Sequence, residues 1–260
     1  MASRITSFLL KRMNPAGVRA LSTKAVPPPR FSWLEQGIKT PIVDQKDSDT
    51  CQIHSFVTAL ELAYQIDFPG QKVVLDRDEL IRAEEIFGDK VTSYVQEDGS
   101  VRTLKKFAND LSVGKYVVGR GVSVIDGPMK GRRLYPREVL FCSDDDPLRP
   151  AHFMVAIQRQ PVVITVPGEM AGDVYKRKPR APTNTTDLHG TTAIGWLQKN
   201  RGGFWLQCQD SSGSSVGIEG TYFVHYESAV DKLCLLAPIL RPSHFPLLSY
   251  RFMIAIVRRV

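Results

Sequence analysis

Cys51 opens the stretch CQIHSFVTALELAY, residues 51–64, which contains no Gly or Pro. Its apolar residues Ile53, Phe56, Val57, Leu60 and Ala63 recur at helical spacing, and Asp49 or Thr50 stands where a cap would. A thiol at a helix N-terminus feels the partial positive charge of the unpaired backbone N–H groups, which favours the thiolate. Thiolate catalysis then asks for a base that later protonates the leaving group, and for donors to a developing oxyanion. A buried structural thiol fits the position of Cys51, taken alone, equally well. His54, one turn along the same helix, is one candidate base, although a base on the nucleophile's own helix faces away from a partner across a cleft. The remaining cysteines, Cys142, Cys208 and Cys234, form no C-x-x-C pair. Neither a zinc site nor a disulfide framework is expected, and no metal or cofactor is predicted.

The elements that must position Cys51 can be read from periodicity. Helices are predicted over 51–64, 75–87 and 101–111. β-branched runs bounded by Gly and Pro predict strands over 116–118, 122–124 and 161–166, with further strands over 191–196, 204–207 and 221–226. Helices in the first half and strands in the second point to an α+β fold rather than alternating βαβ units. The predicted organisation is a basic leader and proline linker over 1–30, a folded domain over 31–235 and a tail over 236–260. Within the domain, a helical lobe is expected to about residue 115 and a β lobe from about 116. A cleft between two lobes is the natural place for a site. The apolar run over 245–257 has no assigned role.

Four blocks in order carry a resemblance. The stretch 31–61, FSWLEQGIKTPIVDQKDSDTCQIHSFVTALE, keeps Trp33, Gly37, Thr40, Pro41, Val43 and Gln45, then Cys51, Ser55, Ala59, Leu60 and Glu61. It resembles the opening of the mature papain/cathepsin domain, whose cysteine is followed by W-A-F-S-x-x-x-A-L-E. Residues 156–164, AIQRQPVVI, resemble the family's A-I-x-x-x-P-V-S-V strand. Residues 188–196, LHGTTAIGW, resemble L-N-H-A-V-x-A-V-G-Y around the catalytic histidine. Phe204-Trp205-Leu206 and residues 210–220, DSSGSSVGIEG, resemble Y-W-I and N-S-W-G-x-x-W-G-x-x-G. The interval from Cys51 to His189 falls within the family's own, roughly 130–150 residues. The resemblance implies a papain-like two-lobed fold with the central helix starting at Cys51. It further implies a thiol endopeptidase acting on peptide or protein substrates, with Cys51 as nucleophile, His189 as base and acid, and Gln45 with the Cys51 N–H as oxyanion donors. Asp210 stands where the family has the asparagine that orients the histidine. One residue must be inserted between Trp205 and Asp210, so Gln209 competes for the same role.

The departures bear on activity. Ser48-Asp49-Thr50-Cys51-Gln52 replaces C-G-S-C-W, so a cysteine, a turn glycine and a tryptophan are gone. Asp47 and Asp49 put negative charge near the thiol, which disfavours the thiolate. Ser212 replaces the tryptophan that shields the histidine–asparagine bond, and the glycine-rich cleft motif is unrecognisable near Phe87-Gly88-Asp89. Only 30 residues precede the mature-like start, so the family's inhibitory prodomain is not expected. A second reading is therefore a weak or inactive pseudo-protease that serves as a peptide-binding or inhibitory module.

Net charge is +7, but six of the 34 basic residues lie in the first 30 positions and none of the 27 acidic ones does. The nearly neutral remainder offers no broad phosphate-binding face, so nucleic acid is not an expected partner. The run Lys176-Arg177-Lys178-Pro179-Arg180 sits among prolines and threonines, as a solvated loop would. No apolar run approaches the roughly 18–20 residues of a membrane span. The acid-free N-terminus, rich in Arg, Lys, Ser and apolar residues, has the composition of a mitochondrial transit peptide, with a cut near Leu21-Ser22. Chloroplast import is the runner-up. The resemblance alone implies the lysosome, vacuole or extracellular space.

Overall fold

The computed structural model describes residues 28–46, 49–95, 100–107, 110–136, 140–142, 150–168, 188–199, 203–228 and 232–234. Its first long helix, α1 (Cys51–Asp67), begins at the cysteine, and every residue from Ile53 to Gln65 is buried. A helix covered on all sides is a core helix, and α1 is the axis of this molecule. Asp76 caps α2 (Arg77–Phe87), its carboxylate accepting from the Glu79 N–H at 2.9 Å. Helices α3 (Asp110–Arg120) and α4 (Pro150–Arg159) complete the helical set among the described residues. Proline at the first position of α4 costs no hydrogen bond, because that N–H has no helical acceptor.

The strands, in chain order, are β1 (Arg30–Ser32), β2 (Val74–Leu75), β3 (Lys90–Val95), β4 (Val101–Lys106), β5 (Val122–Asp126), β6 (Arg133–Leu134), β7 (Leu140–Cys142), β8 (Val162–Pro167), β9 (Leu188–Lys199), β10 (Gly203–Gln209), β11 (Thr221–His225) and β12 (Lys232–Cys234). The main sheet runs β11-β10-β9-β8-β12-β7. β9 organises it. One edge pairs with β10. The other pairs first with β8, from Leu188 to Ala193, and then with β1, from Gly195 to Leu197. The β9–β10 register slips between Gln207 and Cys208, and the Ile194 carbonyl left there accepts from the Trp33 N–H at 3.0 Å. Two smaller sheets are β2-β5-β6 and the hairpin β3-β4.

Two apolar clusters follow. One gathers Ile53, Phe56, Val57 and Leu60 of α1 with Leu80, Val113, Val117, Val122, Val124 and Leu134. The other packs Trp196, Leu206, Tyr222 and Val224 of the sheet against Met154 and Ile157 of α4. β8 belongs to both, because its side chains alternate between faces. Val163 enters the first cluster, whereas Val162, Ile164 and Val166 enter the second. Each fully buried Leu or Phe in such a cluster contributes about 1.5–3 kcal/mol.

Three expectations are corrected. Residues 101–106 are strand β4 and not a helix; helix begins at Asp110. Residues 116–118 lie inside α3, where Val113 and Val117, four apart, are fully buried on one face. Residues 122–134, expected in the β lobe, pack through Val122, Val124 and Leu134 onto the α1 cluster, which carries the helical half beyond residue 115. The run over 245–257 lies outside the described residues.

Candidate active site

Cys51 sits at the first position of α1 and is half-buried. His189 is the second residue of β9, paired with Val166 of β8. The helix start and the strand meet because position 190 is glycine. A Cβ on Gly190 would lie 3.1 Å from the Gln52 backbone N and Cα and 3.2 Å from the Cys51 carbonyl carbon. The approach also makes a bond: the Gly190 N–H donates to Cys51 Sγ at 3.3 Å.

Asp210 follows the end of β10, and its Oδ2 is 3.0 Å from His189 Nε2. Its other oxygen accepts from the Ser212 N–H at 2.7 Å. On its other side His189 interacts with Cys51, by hydrogen bonding and by charge. Burial works against a charged imidazole. Hydrogen bonds to Asp210 and Cys51, and the charges of both, outweigh it and push the His189 pKa up to about 10. Burial likewise pushes the Asp210 carboxyl up, but His189 and the Ser212 N–H hold it below the ordinary carboxylate range. The pair is thus an imidazolium against a carboxylate. Beneath it, Cys208 is a fully buried thiol whose pKa is raised by burial and by the Asp210 charge. Ser212 stands where a shielding tryptophan was expected, yet the Asp210 side chain is 0% exposed and that of His189 12%. The bond is covered without that residue.

Gln45 is tied to the segment that follows Asp210. Its backbone N–H donates to the Ser211 carbonyl at 2.7 Å, and its side-chain Oε1 accepts from Ser211 Oγ at 2.6 Å. With the amide oxygen held by a hydroxyl donor, the amide NH2 is the end presented elsewhere. An antiparallel bridge between Asp44 and Ser212, and a bond from the Gly213 N–H to the Val43 carbonyl at 3.0 Å, lock the two segments together. Ser211 and Gly190 were not singled out in the sequence, although both lie inside the resembling blocks.

The two competing residues stand elsewhere. Gln209 is buried, and its Nε2 donates to Thr40 Oγ1 at 3.0 Å. His54 is buried in the α1–α2 contact beside Arg77, its Nδ1 without a hydrogen-bond partner. Burial first, and then the Arg77 charge, lower its pKa to about 4, with Asp78 opposing. Asp49 is exposed next to the helix start. Asp47, expected to act with it, lies outside the described residues, as do residues 1–27. Among the described residues, no helix is long and apolar enough to cross a membrane.

No family model matches this chain, and no curated protein matches its sequence. Solved structures match its fold. The Amb a 11 cysteine protease of ragweed pollen, in its proform, superposes with a TM-score of 0.60 at 16% identity, over 85% of this chain and 69% of that one. Bromelain of Ananas comosus, in complex with the E64 inhibitor, gives 0.54 at 17% identity over 82% and 100%. Procathepsin L 3 of the Tenebrio molitor larval midgut gives 0.58 at 17% identity over 84% and 71%. The sheet pairing, the helix that begins at Cys51 and these superpositions agree: the chain has the fold of the papain-like cysteine proteases.

Proposed function

We propose that the chain is a cysteine-type endopeptidase that hydrolyses peptide bonds through a thiolate acyl-enzyme. The observation that carries this reading is the chain of contacts Cys51–His189–Asp210, assembled from a helix start, a strand start and a strand end. Cys51 Sγ attacks the scissile carbonyl carbon, and the carbonyl electrons move onto oxygen. The Gln45 amide and the Cys51 N–H are assigned to that oxyanion. His189, charged at neutral pH, gives its proton to the leaving amine as the C–N bond breaks. It then takes a proton from water, whose oxygen displaces the thiolate from the thioester. Asp210 keeps the imidazole in one orientation and stabilises its charged form. Thiolate chemistry of this kind calls for no metal or cofactor.

A pseudo-protease that binds peptides without cleaving them is the second reading. Exposed Asp49 beside the helix start, and Gln52 in place of a tryptophan, favour it. A mechanism-based epoxysuccinyl thiol-protease probe separates the two. Covalent labelling of Cys51, lost in Cys51→Ala, supports the peptidase. Peptide binding by a wild type that never labels supports the module. We further place the protein in mitochondria on its acid-free N-terminus. A reporter fused after Arg30 that stays cytosolic or enters the secretory route overturns that placement.

A further inference from the structure

Three separate elements meet just ahead of Cys51. β4 ends at Lys106, whose side chain is only 18% exposed. Its ammonium lies 3.5 Å from Glu84 Oε2 on α2 and donates to the backbone carbonyl of Asp49 at 3.4 Å. Glu84 in turn accepts the Phe107 N–H at Oε1, 3.0 Å away, so the carboxylate is held at both oxygens. The crossing is close because α2 is followed by glycine. A Cβ on Gly88 would fall 2.6 Å from the Lys106 backbone N and O. Lys106 is therefore fixed by its backbone and its partners, and it points at the turn that delivers Cys51 into α1.

Thr50, the residue that precedes α1, makes no side-chain cap hydrogen bond. The charged groups around the turn are Asp49 itself, Glu84 from α2 and Lys106 from β4, while His189 faces Cys51 from the sheet with Asp210 behind it. Burial raises the Glu84 pKa and the Asp49 charge adds to it, while the Phe107 N–H and Lys106 pull it down. Two carboxylates near a helix start oppose an anionic sulfur, and the Lys106 ammonium bonds one of them, Glu84, and the backbone of the other, Asp49.

We propose that Lys106 is a positioning residue for Cys51, holding the Asp49–Thr50 turn in place and offsetting the carboxylates of Asp49 and Glu84. The proposal rests on the reading of Cys51 as the nucleophile. It gives the acidic flank of Cys51 a compensating cation. It also links the β3–β4 hairpin, through Lys106, to the turn that precedes Cys51.

The test is the pH profile of Cys51 alkylation by iodoacetamide, a displacement in which the thiolate takes the carbon and iodide leaves. It is followed by peptide mass mapping in the wild type, Lys106→Arg, Lys106→Met and Glu84→Gln, with unfolding midpoints measured alongside. Lys106→Met should move the profile up by about half a unit to one unit, the effect of removing one nearby charge in a partly solvated setting. Its rate at neutral pH should fall about three- to ten-fold. Lys106→Arg should restore the wild-type profile. Glu84→Gln keeps the acceptor for the Phe107 N–H, removes the charge and should move the profile down. An unshifted Lys106→Met profile, or an unshifted Glu84→Gln profile should Lys106→Met fail to fold, overturns the role of Lys106. A lowered unfolding midpoint without a shift does the same, because it leaves only a structural part. If wild-type Cys51 alkylates no faster than Cys208, the nucleophile reading falls and this proposal falls with it.

Discussion

Asp210 and Asp49 are carboxylates on opposite sides of one candidate site. Asp210, on the sheet side, has no exposed side-chain surface, and both oxygens are occupied, by His189 and by the Ser212 N–H. Asp49, on the helix side, is exposed, and the next residue caps α1 without a side-chain bond. A buried carboxylate costs desolvation and is retained only where a paired charge offsets it, as His189 does here. An exposed one costs nothing to keep but acts on every charge nearby. The sheet half of the site is thus fixed by its own hydrogen bonds. The helix half is balanced by charges brought from α2 and β4.

The largest effect should come from the atom that joins the halves. Cys51→Ala should abolish epoxysuccinyl labelling outright, a loss of more than about a thousand-fold. Buried Cys208 should not substitute for it. Turnover of a peptide should also fall as pH rises through about 10, where His189 loses the proton it must give to the leaving amine. Alkylation by iodoacetamide, which needs no such proton, should not fall there. If both fall together, the alkaline loss is unfolding and the assignment of His189 as the acid is unsupported.

His54 tests the helix half by stability instead of activity. Its pKa is depressed to about 4 by burial and by Arg77. The folded protein therefore keeps it neutral, while the unfolded chain protonates it near pH 6.5. Stability attached to this residue is present above pH 6.5 and is lost as pH falls toward 4, by on the order of 2–3 kcal/mol. In the resembling pattern this position is phenylalanine. His54→Phe should flatten the acid side of the stability profile and remove a buried nitrogen that lacks a partner. Urea unfolding at pH 7 and at pH 4.5 measures the difference. An equal acid loss in both proteins would place the sensitivity in other groups.

Asp210 tests the sheet half. Asp210→Asn retains an acceptor for His189 and should retain measurable labelling. Asp210→Ala should lose roughly ten- to a hundred-fold, about 1–3 kcal/mol. Gln209→Ala removes the bond to Thr40 and should leave the labelling rate near wild type. The reverse pattern, with Gln209→Ala damaging and Asp210→Ala silent, would shift the orienting role by one residue.

The same division governs what could be read from the sequence. The strand that carries His189 was legible because Thr191-Thr192-Ala193-Ile194 is a largely β-branched run between two glycines, and α1 was legible because its apolar spacing is unbroken. The region between them was not. Tyr116-Val117-Val118 carries strand propensity, yet burial of Val113 and Val117 on one face makes it helix, so tertiary packing overrides local preference. Residues 101–106 form a strand that the dipeptide Asp98-Gly99 ahead of them signals, since it favours a hairpin turn, whereas their own residues do not alternate as a half-buried strand would. Ala156 and Ile157 were read with a strand but end α4, and strand begins only at Val162. Lys106 carried no signal at all, since its partners come from positions 49 and 84 and only the fold brings them together.

The smallest predicted effect probes the seam itself. Where the resembling pattern has alanine after the histidine, this chain has Gly190. Gly190→Ala meets no conformational obstacle of the left-handed kind, because Gly190 is not among the positive-φ residues. Its cost is steric. The new methyl would lie 3.1 Å from the Gln52 backbone, a contact that α1 or β9 must relieve by a few tenths of an ångström. Backbone at a helix start yields less readily than a side-chain tip, so a stability loss of about 1 kcal/mol is expected, the low end for an overpacked site. Relief by moving the helix also lengthens the Gly190 N–H to Cys51 Sγ bond. Labelling of Cys51 should then slow about two- to five-fold with its pH midpoint displaced upward, since a donor to the thiolate has weakened. Relief by the strand alone would lower the unfolding midpoint and leave labelling untouched. A variant as stable and as reactive as the wild type would show that the helix start and the strand are farther apart than the 3.3 Å bond requires.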